Sequence, residues 1–319
     1  MLRTAHLIFN PVSGQGDAEA DLAYVRSQLD PAFDLTVYET SPERDADRLA
    51  AQSVQQGVDL VIASGGDGTI NAAAESLMET AIPLAIIPRG TANAVASALG
   101  IPTNLHDACQ VVLTGESHAI DTARCNGRPM VLLAGIGLEA DVVKRASRET
   151  KDRWGILAYI LAGFKELNEL DSFEVTLETD DKVISVQACA ITVANMAPPT
   201  SILAQGPEEV VVDDGLLDIT IVAAKGVGSA LAASYELFRS AISGQATERE
   251  DIGFLRSKRV KINTAPLQNV ALDGEVLGEV PIEVICVPQG LNLVVPRQTS
   301  PSPSENIVDL PGITIESKR

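Results

Sequence analysis

Three glycine-rich segments constrain the fold of this chain more than any other sequence feature. They are NPVSGQG (residues 10–16), SGGDGTIN (residues 64–71) and PRGTANA (residues 88–94). Each follows an apolar run and precedes a segment with helical spacing of apolar residues. Glycine lets the backbone approach a ligand without a Cβ clash, and free N–H groups at a helix start attract anions. One such segment is more often a plain turn, but three together predict a phosphate or nucleotide site.

Strand-like and helix-like segments alternate through the first third of the chain. The strand-like segments are residues 6–10, 34–40, 59–63 and 83–88, and the helix-like segments are residues 17–29, 43–56, 70–78 and 92–99. This alternation predicts a doubly wound parallel sheet with helices on both faces. Ligands of such sheets bind beyond the carboxyl ends of the strands, which is where the three glycine-rich segments fall.

The pattern changes near Asp121, where a mostly antiparallel β domain is expected to begin. The dipeptide Asn126-Gly127 between strand-like runs predicts a hairpin, and a second strand pair surrounds Asp180-Asp181. Further short strands follow, among them residues 282–288 and 291–296 as separate strands. Helices are expected near residues 139–149, 156–168 and 227–243. We interpret this part as a C-terminal antiparallel β-sandwich.

Charge and cysteine content exclude several classes of function. Among 319 residues, 43 Asp and Glu outweigh 24 Lys and Arg, which gives a net charge of −19. This charge argues against a general nucleic-acid binder. The four cysteines are dispersed and only three histidines are present, so a zinc site is not expected and buried thiols of a reducing cytoplasm are. The apolar run at residues 155–164 is too short to span a bilayer, so we expect a cytoplasmic protein.

Asp67 is the unusual member of the glycine-rich segments. A carboxylate inside a phosphate site repels the ligand unless a cation lies between them. Mg²⁺ prefers one or two carboxylates together with phosphate oxygens and waters. Asp67 therefore favours a Mg²⁺–nucleotide complex over bare phosphate, although aspartate also simply favours turns.

NPVSG, GGDGTIN and PRGTAN, followed far downstream by LDGE (residues 272–275), resemble the soluble bacterial diacylglycerol kinases. These lipid kinases are related to sphingosine kinases and, more distantly, to NAD kinases and phosphofructokinases. The resemblance covers roughly residues 7–296. GGDGT alone does not separate these relatives, but the PxGTxN turn and the late DGE favour the lipid kinases.

The resemblance implies a two-domain fold with the catalytic cleft between the domains. It comprises an NAD kinase- or phosphofructokinase-like α/β domain for the nucleotide and a β-sandwich for the lipid. We expect the first domain to span residues 1–121 and to be completed by residues 291–297, because the last strands of the family return to it. The sandwich would span residues 122–290, and residues 298–319 would form a mobile tail.

The resemblance also implies ATP- and Mg²⁺-dependent phosphorylation of a lipid hydroxyl, as in diacylglycerol. Together with the glycine-rich segments it gives these candidate ATP-binding residues: Asn10, Pro11, Ser13, Gly14, Thr40, Gly65, Gly66, Asp67, Gly68, Thr69, Asn71, Gly90, Thr91 and Asn93. The candidate catalytic residues are Asp67 and the two acids of LDGE. Asp273 and Glu275 remain alternative general bases, with both side chains on one face if the backbone is extended.

A structural Mg²⁺ site is a further implication of the resemblance. A family member holds this ion in a loop similar to VVVDDGLL (residues 210–217). The matching ligands here would be the Asp214 side chain and the carbonyls of Val211 and Leu216. An ordinary turn before a strand is the alternative interpretation of this loop.

Two departures from the family pattern bear on activity. The second segment usually continues TxNE, and the third usually reads GTAND; the acidic positions are Ala72 and Ala94 here. Glu75 and Asp121 are other acids nearby in sequence. A lipid kinase is therefore our leading interpretation. A kinase of a non-lipid hydroxyl such as NAD, and a nucleotide-binding regulatory protein without transfer activity, are the alternatives.

The expected partners are ATP and a lipid substrate at a membrane surface, with homodimer formation left open. The basic segment KRASRETKDRWG (residues 144–155) precedes the longest apolar run. It fits either a solvated helix face or a contact with anionic headgroups or ATP phosphates.

Overall fold

The computed structural model describes residues 2–14, 16–137, 140, 143, 172–198, 210–223 and 252–297. The helices are α1 (Ala18–Leu29), α2 (Ala46–Gln56), α3 (Asp67–Leu77), α4 (Ala94–Ala98) and α5 (Leu105–Thr114). The first strands are β1 (Arg3–Phe9), β2 (Phe33–Glu39), β3 (Leu60–Gly65), β4 (Leu84–Pro88), β5 (Glu116–Cys125), β6 (Arg128–Met130), β7 (Leu133–Gly137) and β8 (Phe173–Glu178). The remaining strands are β9 (Val183–Ala188), β10 (Ala190–Ala194), β11 (Leu217–Val222), β12 (Ile252–Ser257), β13 (Arg259–Ala265), β14 (Asn269–Leu272), β15 (Glu275–Glu279) and β16 (Ile282–Val295).

Several expected features lie outside the described residues. They are the tail, the basic segment at residues 144–155, and, apart from residues 140 and 143, the helices expected near 139–149, 156–168 and 227–243. Within the described residues, none of the helices has the length and hydropathy needed to cross a bilayer.

The predicted parallel sheet is present in the first part of the chain. Strands β2, β1, β3 and β4 lie side by side in that order and are all parallel. Alternate residues of β1 face opposite layers. Ile8 packs in the layer of α2, α3 and α4, while Leu7 and Phe9 pack in the layer of α1 and α5. Helices therefore cover both faces, as the alternation of strands and helices predicted.

The second sheet confirms the predicted antiparallel sandwich. It has the strand order β12-β11-β10-β7-β14-β15, and its neighbours pair antiparallel. Its inner face packs against β8, β13 and the first half of β16 in one buried cluster. Both hairpins are confirmed: β5 pairs with β6 across Asn126-Gly127, and β8 pairs with β9. Asn126 and Gly127 have positive φ angles of 49° and 81°, as a type I′ turn requires.

One long strand pair joins the parallel sheet to the sandwich. The sequence predicted two strands at residues 282–288 and 291–296, but they form the single 14-residue strand β16. A register shift between Val287 and Leu291 absorbs the irregular Pro288–Gly290 segment, so the ladder with β5 continues on both sides. The end of β16 lies parallel to β4, with Leu293 opposite Leu84. One ten-stranded sheet therefore contributes to both parts of the fold.

The four cysteines are confirmed as buried free thiols. Burial raises the pKa of Cys109 to about 11. A thiol with so high a pKa stays protonated at neutral pH and behaves as a small apolar side chain.

Candidate active site

The four parallel strands end in register, which brings the predicted ATP-binding segments to one edge. Backbone hydrogen bonds continue the sheet just beyond the strands. Thr40 N donates to Phe9 O at 2.9 Å, Asn10 N to Ser64 O at 2.9 Å, and Arg89 N to Gly65 O at 2.7 Å. Thr40 and the three glycine-rich segments therefore stand side by side at the carboxyl edge of the sheet, which is the usual ligand position in open α/β sheets.

Side chains tie the first glycine-rich segment to the second. Asn10 Nδ2 donates to Thr69 Oγ1 at 2.8 Å, and Gly66 N donates to Ser13 Oγ at 3.1 Å. Asn10 Oδ1 also accepts from Val12 N at 3.1 Å, which shapes the turn at Pro11. These polar residues hold the two turns in a fixed relation, whether or not they also contact a ligand.

Asp67 ties the second segment to the third. Its carboxylate accepts from Asn93 N at 3.1 Å and from Ala94 N at 2.5 Å, which are amides at the start of α4. Asp67 is also the first residue of α3 rather than part of a free turn. The sequence predicted Asp67 in a turn before a helix that starts at residue 70. This is wrong, because α3 begins three residues earlier and includes Asp67. The carboxylate has a structural role in addition to any contact with a cation.

Gly90 is required by the close approach of the second and third segments. A Cβ at this position would lie 2.7 Å from Gly66 Cα and 2.8 Å from Asn93 Oδ1. The Asn93 side chain closes the turn by accepting from Gly90 N and donating to Gly90 O, each at 2.8 Å. Only glycine allows the two backbones to meet at this distance.

The start of α3 has the chemistry of an anion site. This helix of 11 residues begins at the GGDGT turn, and Gly66 is its N-cap without a side-chain capping bond. Two buried oxygens at the same end, Ser64 Oγ and Asn71 Oδ1, have no hydrogen-bond partner within the described part of the protein. A bound phosphate or nucleotide would interact favourably with a helix N-terminus and could satisfy the orphaned oxygens.

A cavity of about 530 Å³ opens along this edge. Its lining includes the predicted residues Gly14, Gly90, Thr91 and Asn93, together with Asp21, Pro88, Arg89, Thr103 and Leu105. This volume lies within the usual range of ligand pockets, about 300–1,000 Å³.

The sequence analysis missed Arg89 and Asp21. The Arg89 side chain is only 4% exposed and forms an ion pair with Asp21 at 2.9 Å. It also donates to Asn10 O at 2.8 Å and lies 4.4 Å from the centre of the Phe9 ring. Arg89 thereby holds the first segment against the third. The signal in the sequence that could have identified Arg89 was a charged residue directly after the buried PLAIIP run (residues 83–88).

The two acids of LDGE lie in different environments. Asp273 and Gly274 have φ angles of 48° and 87° and form the turn between β14 and β15. The condition of an extended backbone is therefore not met, because positive φ at both residues reverses the chain. Asp273 points its carboxylate at three backbone amides, and Glu275 is exposed at the start of β15. The structure does not place the two carboxylates on one extended face.

Asp273 combines tight hydrogen bonding with a raised pKa. Its carboxylate accepts from Val131 N at 2.7 Å, Leu132 N at 2.9 Å and Leu133 N at 2.8 Å. Burial raises the pKa of Asp273 to about 6, against the opposing effect of these three donors and with a small addition from the charge of Glu75. An acid with this pKa is mostly ionised at neutral pH and can still take up a proton.

Glu75 lies on α3, the helix that starts at GGDGT, and it is electrostatically coupled to Glu275 of LDGE. Burial, followed by the charges of Glu275 and Asp47, raises the pKa of Glu75, while Arg128 opposes the shift. Glu75 lies one helical turn beyond Ala72, where the family usually has glutamate. Glu75 lies eight residues after Asp67 on α3, which is about 12 Å along the helix axis. Val131 and Leu132, which donate to Asp273, pack in the same buried cluster as Ile70 of α3.

Asp121 is not part of this edge, and it organises the VVVDDGLL loop instead. Its two oxygens accept from Gly215 N at 2.6 Å and Gln289 N at 2.8 Å. Its own amide donates to Val212 O at 2.7 Å. This buried carboxylate therefore joins β5, the loop and the irregular part of β16.

In the loop predicted to hold a structural Mg²⁺, Arg256 is the counter-ion of Asp214. Asp214 Oδ1 accepts from Leu216 N at 3.0 Å, and Asp214 Oδ2 pairs with Arg256 Nη1 at 3.2 Å. Among the described residues, no group of three or more His, Cys, Asp or Glu side chains is arranged to hold a metal ion. Octahedral Mg²⁺ needs six oxygen ligands at about 2.0–2.1 Å. Waters can supply several of these ligands, so the Mg²⁺ site at Asp214 stays a prediction, although both Asp214 oxygens already have protein partners in the Leu216 amide and the Arg256 guanidinium.

Comparison with known proteins identifies the family. The sequence pattern of the diacylglycerol kinase catalytic domain matches residues 4–125, and that of the YegS C-terminal NAD kinase beta sandwich-like domain matches residues 133–295. The chain belongs to the diacylglycerol kinase family. Membership in this family makes it a kinase, and both the recognised family and the two-part fold are confirmed.

Relatives of this family match nearly the whole chain. A Synechocystis sp. protein known as the uncharacterized protein sll0036 is 42% identical over 309 residues, which cover 93% of this chain and 71% of that protein. The diacylglycerol kinase of Bacillus subtilis is 29% identical and covers 93% of this chain and 98% of its own length.

Two crystal structures named for a diacylglycerol kinase of Bacillus anthracis str. Sterne are also similar. One has a TM-score of 0.77 at 27% identity, covering 92% of this chain and 98% of that one. The other has a TM-score of 0.72 at 25% identity, covering 92% and 97%.

Proposed function

We propose that this diacylglycerol kinase family member transfers the γ-phosphoryl group of ATP to the hydroxyl of a diacylglycerol-like lipid. The observation that carries the proposal is the buried carboxylate of Asp273, which is held by the backbone amides of residues 131–133 and has a pKa that burial raises to about 6. The B. subtilis relative named diacylglycerol kinase supports the choice of lipid. Phosphoryl transfer asks a protein mainly for positioning and charge neutralisation, and the glycine-rich edge offers both.

In the proposed reaction, the phosphates lie at the N-terminus of α3 and against the turns at Gly14 and Gly90. The lipid hydroxyl gives its proton to the carboxylate of Asp273. Its oxygen forms a bond to the γ-phosphorus, the bond from that phosphorus to the β–γ bridging oxygen breaks, and ADP leaves with the electron pair. We assign this role to Asp273, because a base works best when its pKa lies near the operating pH and burial raises the pKa of Asp273 to about 6.

We propose Mg²⁺ as the cation that accompanies ATP. Such an ion keeps several waters and needs only one or two protein carboxylates in addition to phosphate oxygens, and Asp67 can supply one. When bound, it would neutralise charge that develops on the transferred phosphoryl group. Asp67 itself holds the amides of Asn93 and Ala94 and so keeps the third turn in place.

The decisive test incubates the purified chain with labelled ATP, MgCl₂ and a panel of acceptors. The panel contains diacylglycerol, a monoacylglycerol and sphingosine in mixed micelles, and NAD in solution. We expect transfer to diacylglycerol above the other acceptors and none without a divalent cation. Preferential labelling of NAD would overturn the lipid assignment and leave the kinase assignment in place.

Contact with a membrane surface is part of the proposal. A protein with net charge −19 approaches an anionic surface against repulsion, and each basic residue near such a surface is worth about 1 kcal/mol. Replacing Arg145, Arg148 and Lys151 of the basic segment with glutamine should therefore weaken co-sedimentation with anionic vesicles. The difference should shrink as salt rises, because salt screens exposed charges. Equal binding of both proteins at low ionic strength would leave this segment as a solvated face.

A further inference from the structure

The loop at residues 210–217 is held by an arginine where the family resemblance implied a metal ion. Strands β11 and β12 place Asp218 directly opposite Arg256. Arg256 Nε lies 2.7 Å from Asp218 Oδ1, and Arg256 Nη1 lies 3.2 Å from Asp214 Oδ2. One guanidinium therefore spans two carboxylates, one in the strand and one in the loop before it.

Burial makes this arrangement more than a surface ion pair. The Asp218 side chain is 3% exposed, and the side chains of Arg256 and Asp214 are about one quarter exposed at 25% and 26%. A buried carboxylate needs a counter-charge, because desolvation of a lone anion costs more than its hydrogen bonds return. Arginine suits this task because its planar fork presents several donors in fixed directions.

Other polar groups of the loop are also engaged within the protein. Asp121 binds the amide of Gly215 and donates its own amide to Val212 O. His118 Nε2 hydrogen-bonds to Asp213 Oδ2 at 3.1 Å. The loop is thereby fixed to β5 and β12 by side chains and by one backbone hydrogen bond.

We propose that the Arg256 guanidinium takes the place of a divalent cation, so that this chain needs no structural metal at Asp214. The positive charge reaches the loop from the neighbouring strand. The junction between the parallel sheet and the sandwich is then stable in a metal-free medium. This inference does not depend on the acceptor of the kinase reaction.

The test measures the melting temperature of the full chain without ATP, in EDTA and in excess MgCl₂. The wild-type protein should melt at the same temperature in both. Arg256→Gln should melt about 2–4 °C lower in EDTA and regain part of the loss in MgCl₂, because Asp214 and Asp218 would then attract the ion. Arg256→Lys keeps a charge and should stay insensitive to Mg²⁺.

Arg259→Gln is the matched control. Arg259 forms a cross-strand ion pair with Glu283 at 2.5 Å and has a similar exposure of 32%, but it lies away from the loop. It should lose stability without any recovery in MgCl₂. A wild-type melting temperature that rises in MgCl₂, with the rise abolished by Asp214→Asn, would overturn the proposal. An Arg256→Gln protein that loses stability without recovery in MgCl₂, or that loses no stability in EDTA, would also overturn it. If Arg256→Gln does not fold, the Arg256→Lys and wild-type comparisons decide.

Discussion

Two opposing influences set the pKa of Asp273. Three amides of residues 131–133 favour its charged form, and burial disfavours that form more strongly, so the pKa rises to about 6. Such tuning is typical of general bases that work at neutral pH. Glu275, two residues later, is exposed.

The first prediction separates these two acids. The ionised form of Asp273 accepts the proton, so kcat should rise with pH through about 6 and level off above it. Asp273→Asn should lower kcat by ~10²–10⁴-fold with little change in ATP binding. Glu275→Gln should leave the pH profile of kcat unchanged. A measured pH profile of kcat that shifts in Glu275→Gln and not in Asp273→Asn would assign the base to Glu275.

The second prediction concerns Asp67. Asp67→Ala removes two carboxylate–amide bonds at the start of α4 and the proposed ligand of the ATP-bound cation. We expect a strong loss of ATP affinity and turnover with a modest loss of stability. Asp17→Ala is the control, because Asp17 also binds two helix-start amides, those of Glu19 and Ala20. It should cost about 1 kcal/mol of stability and leave turnover unchanged. Calorimetric ATP titration and urea unfolding of both variants measure these effects, and normal ATP use by Asp67→Ala would contradict the assignment.

At the scale of structural elements, the three glycine-rich turns behave as one unit because side chains cross between them. Asn10 reaches Thr69, Asp67 reaches the start of α4, and Arg89 reaches back from the end of β4 to Asn10 O. The first turn depends on Arg89, which the sequence motifs do not single out.

The third prediction follows from this dependence. Arg89→Met keeps the volume of the side chain but removes its bonds to Asp21 and Asn10 O. We expect the free energy of unfolding to fall by about 1.5–3 kcal/mol, the range for hydrogen bonds to charged groups. The KM for ATP should rise while kcat changes less, because the first turn loses its position. Arg124→Met, which removes an exposed ion pair with Glu79, should cost at most ~1 kcal/mol. Equal ATP kinetics in the two variants would show that Arg89 does not position the turn.

At the scale of the whole molecule, the parallel sheet is not complete without the second half of β16, which lies beside β4. Leu291 and Leu293 of β16 are fully buried among residues of α3, β3 and β4. Val294 packs on the opposite face with α5. The catalytic-domain match ends at residue 125, so it does not contain this strand.

The fourth prediction tests that incompleteness. A fragment of residues 1–125 exposes the unpaired edges of β4 and β5 and should aggregate, because open strand edges template association. Appending residues 288–297 through a flexible linker should restore a soluble, cooperatively unfolding protein. Size-exclusion chromatography and thermal circular dichroism measure both outcomes. A monomeric, cooperatively melting fragment 1–125 would show that the first domain is independent of β16.

Local sequence patterns determined the elements of this fold and predicted the place of its candidate site. The alternation of apolar runs and helical segments predicted the parallel sheet, and Asn126-Gly127 predicted its hairpin, because periodicity and turn chemistry act over a few neighbouring residues. The glycine-rich segments after three strands predicted the edge that the structure brings together. The family resemblance added LDGE, which no periodicity would have indicated.

Only the tertiary structure decided what the charged residues of the site do. Asp67 meets amides 26 and 27 residues away, Asp273 meets amides about 140 residues away, and Arg256 meets a carboxylate 42 residues away. A charge can pair with any opposite charge or amide that the fold brings within about 3 Å, and local spacing does not record that choice. For this reason the sequence predicted which edge of the sheet would bind a nucleotide, while only the fold shows that Arg89 bonds to Asn10 O in the first turn and that Arg256 pairs with Asp214.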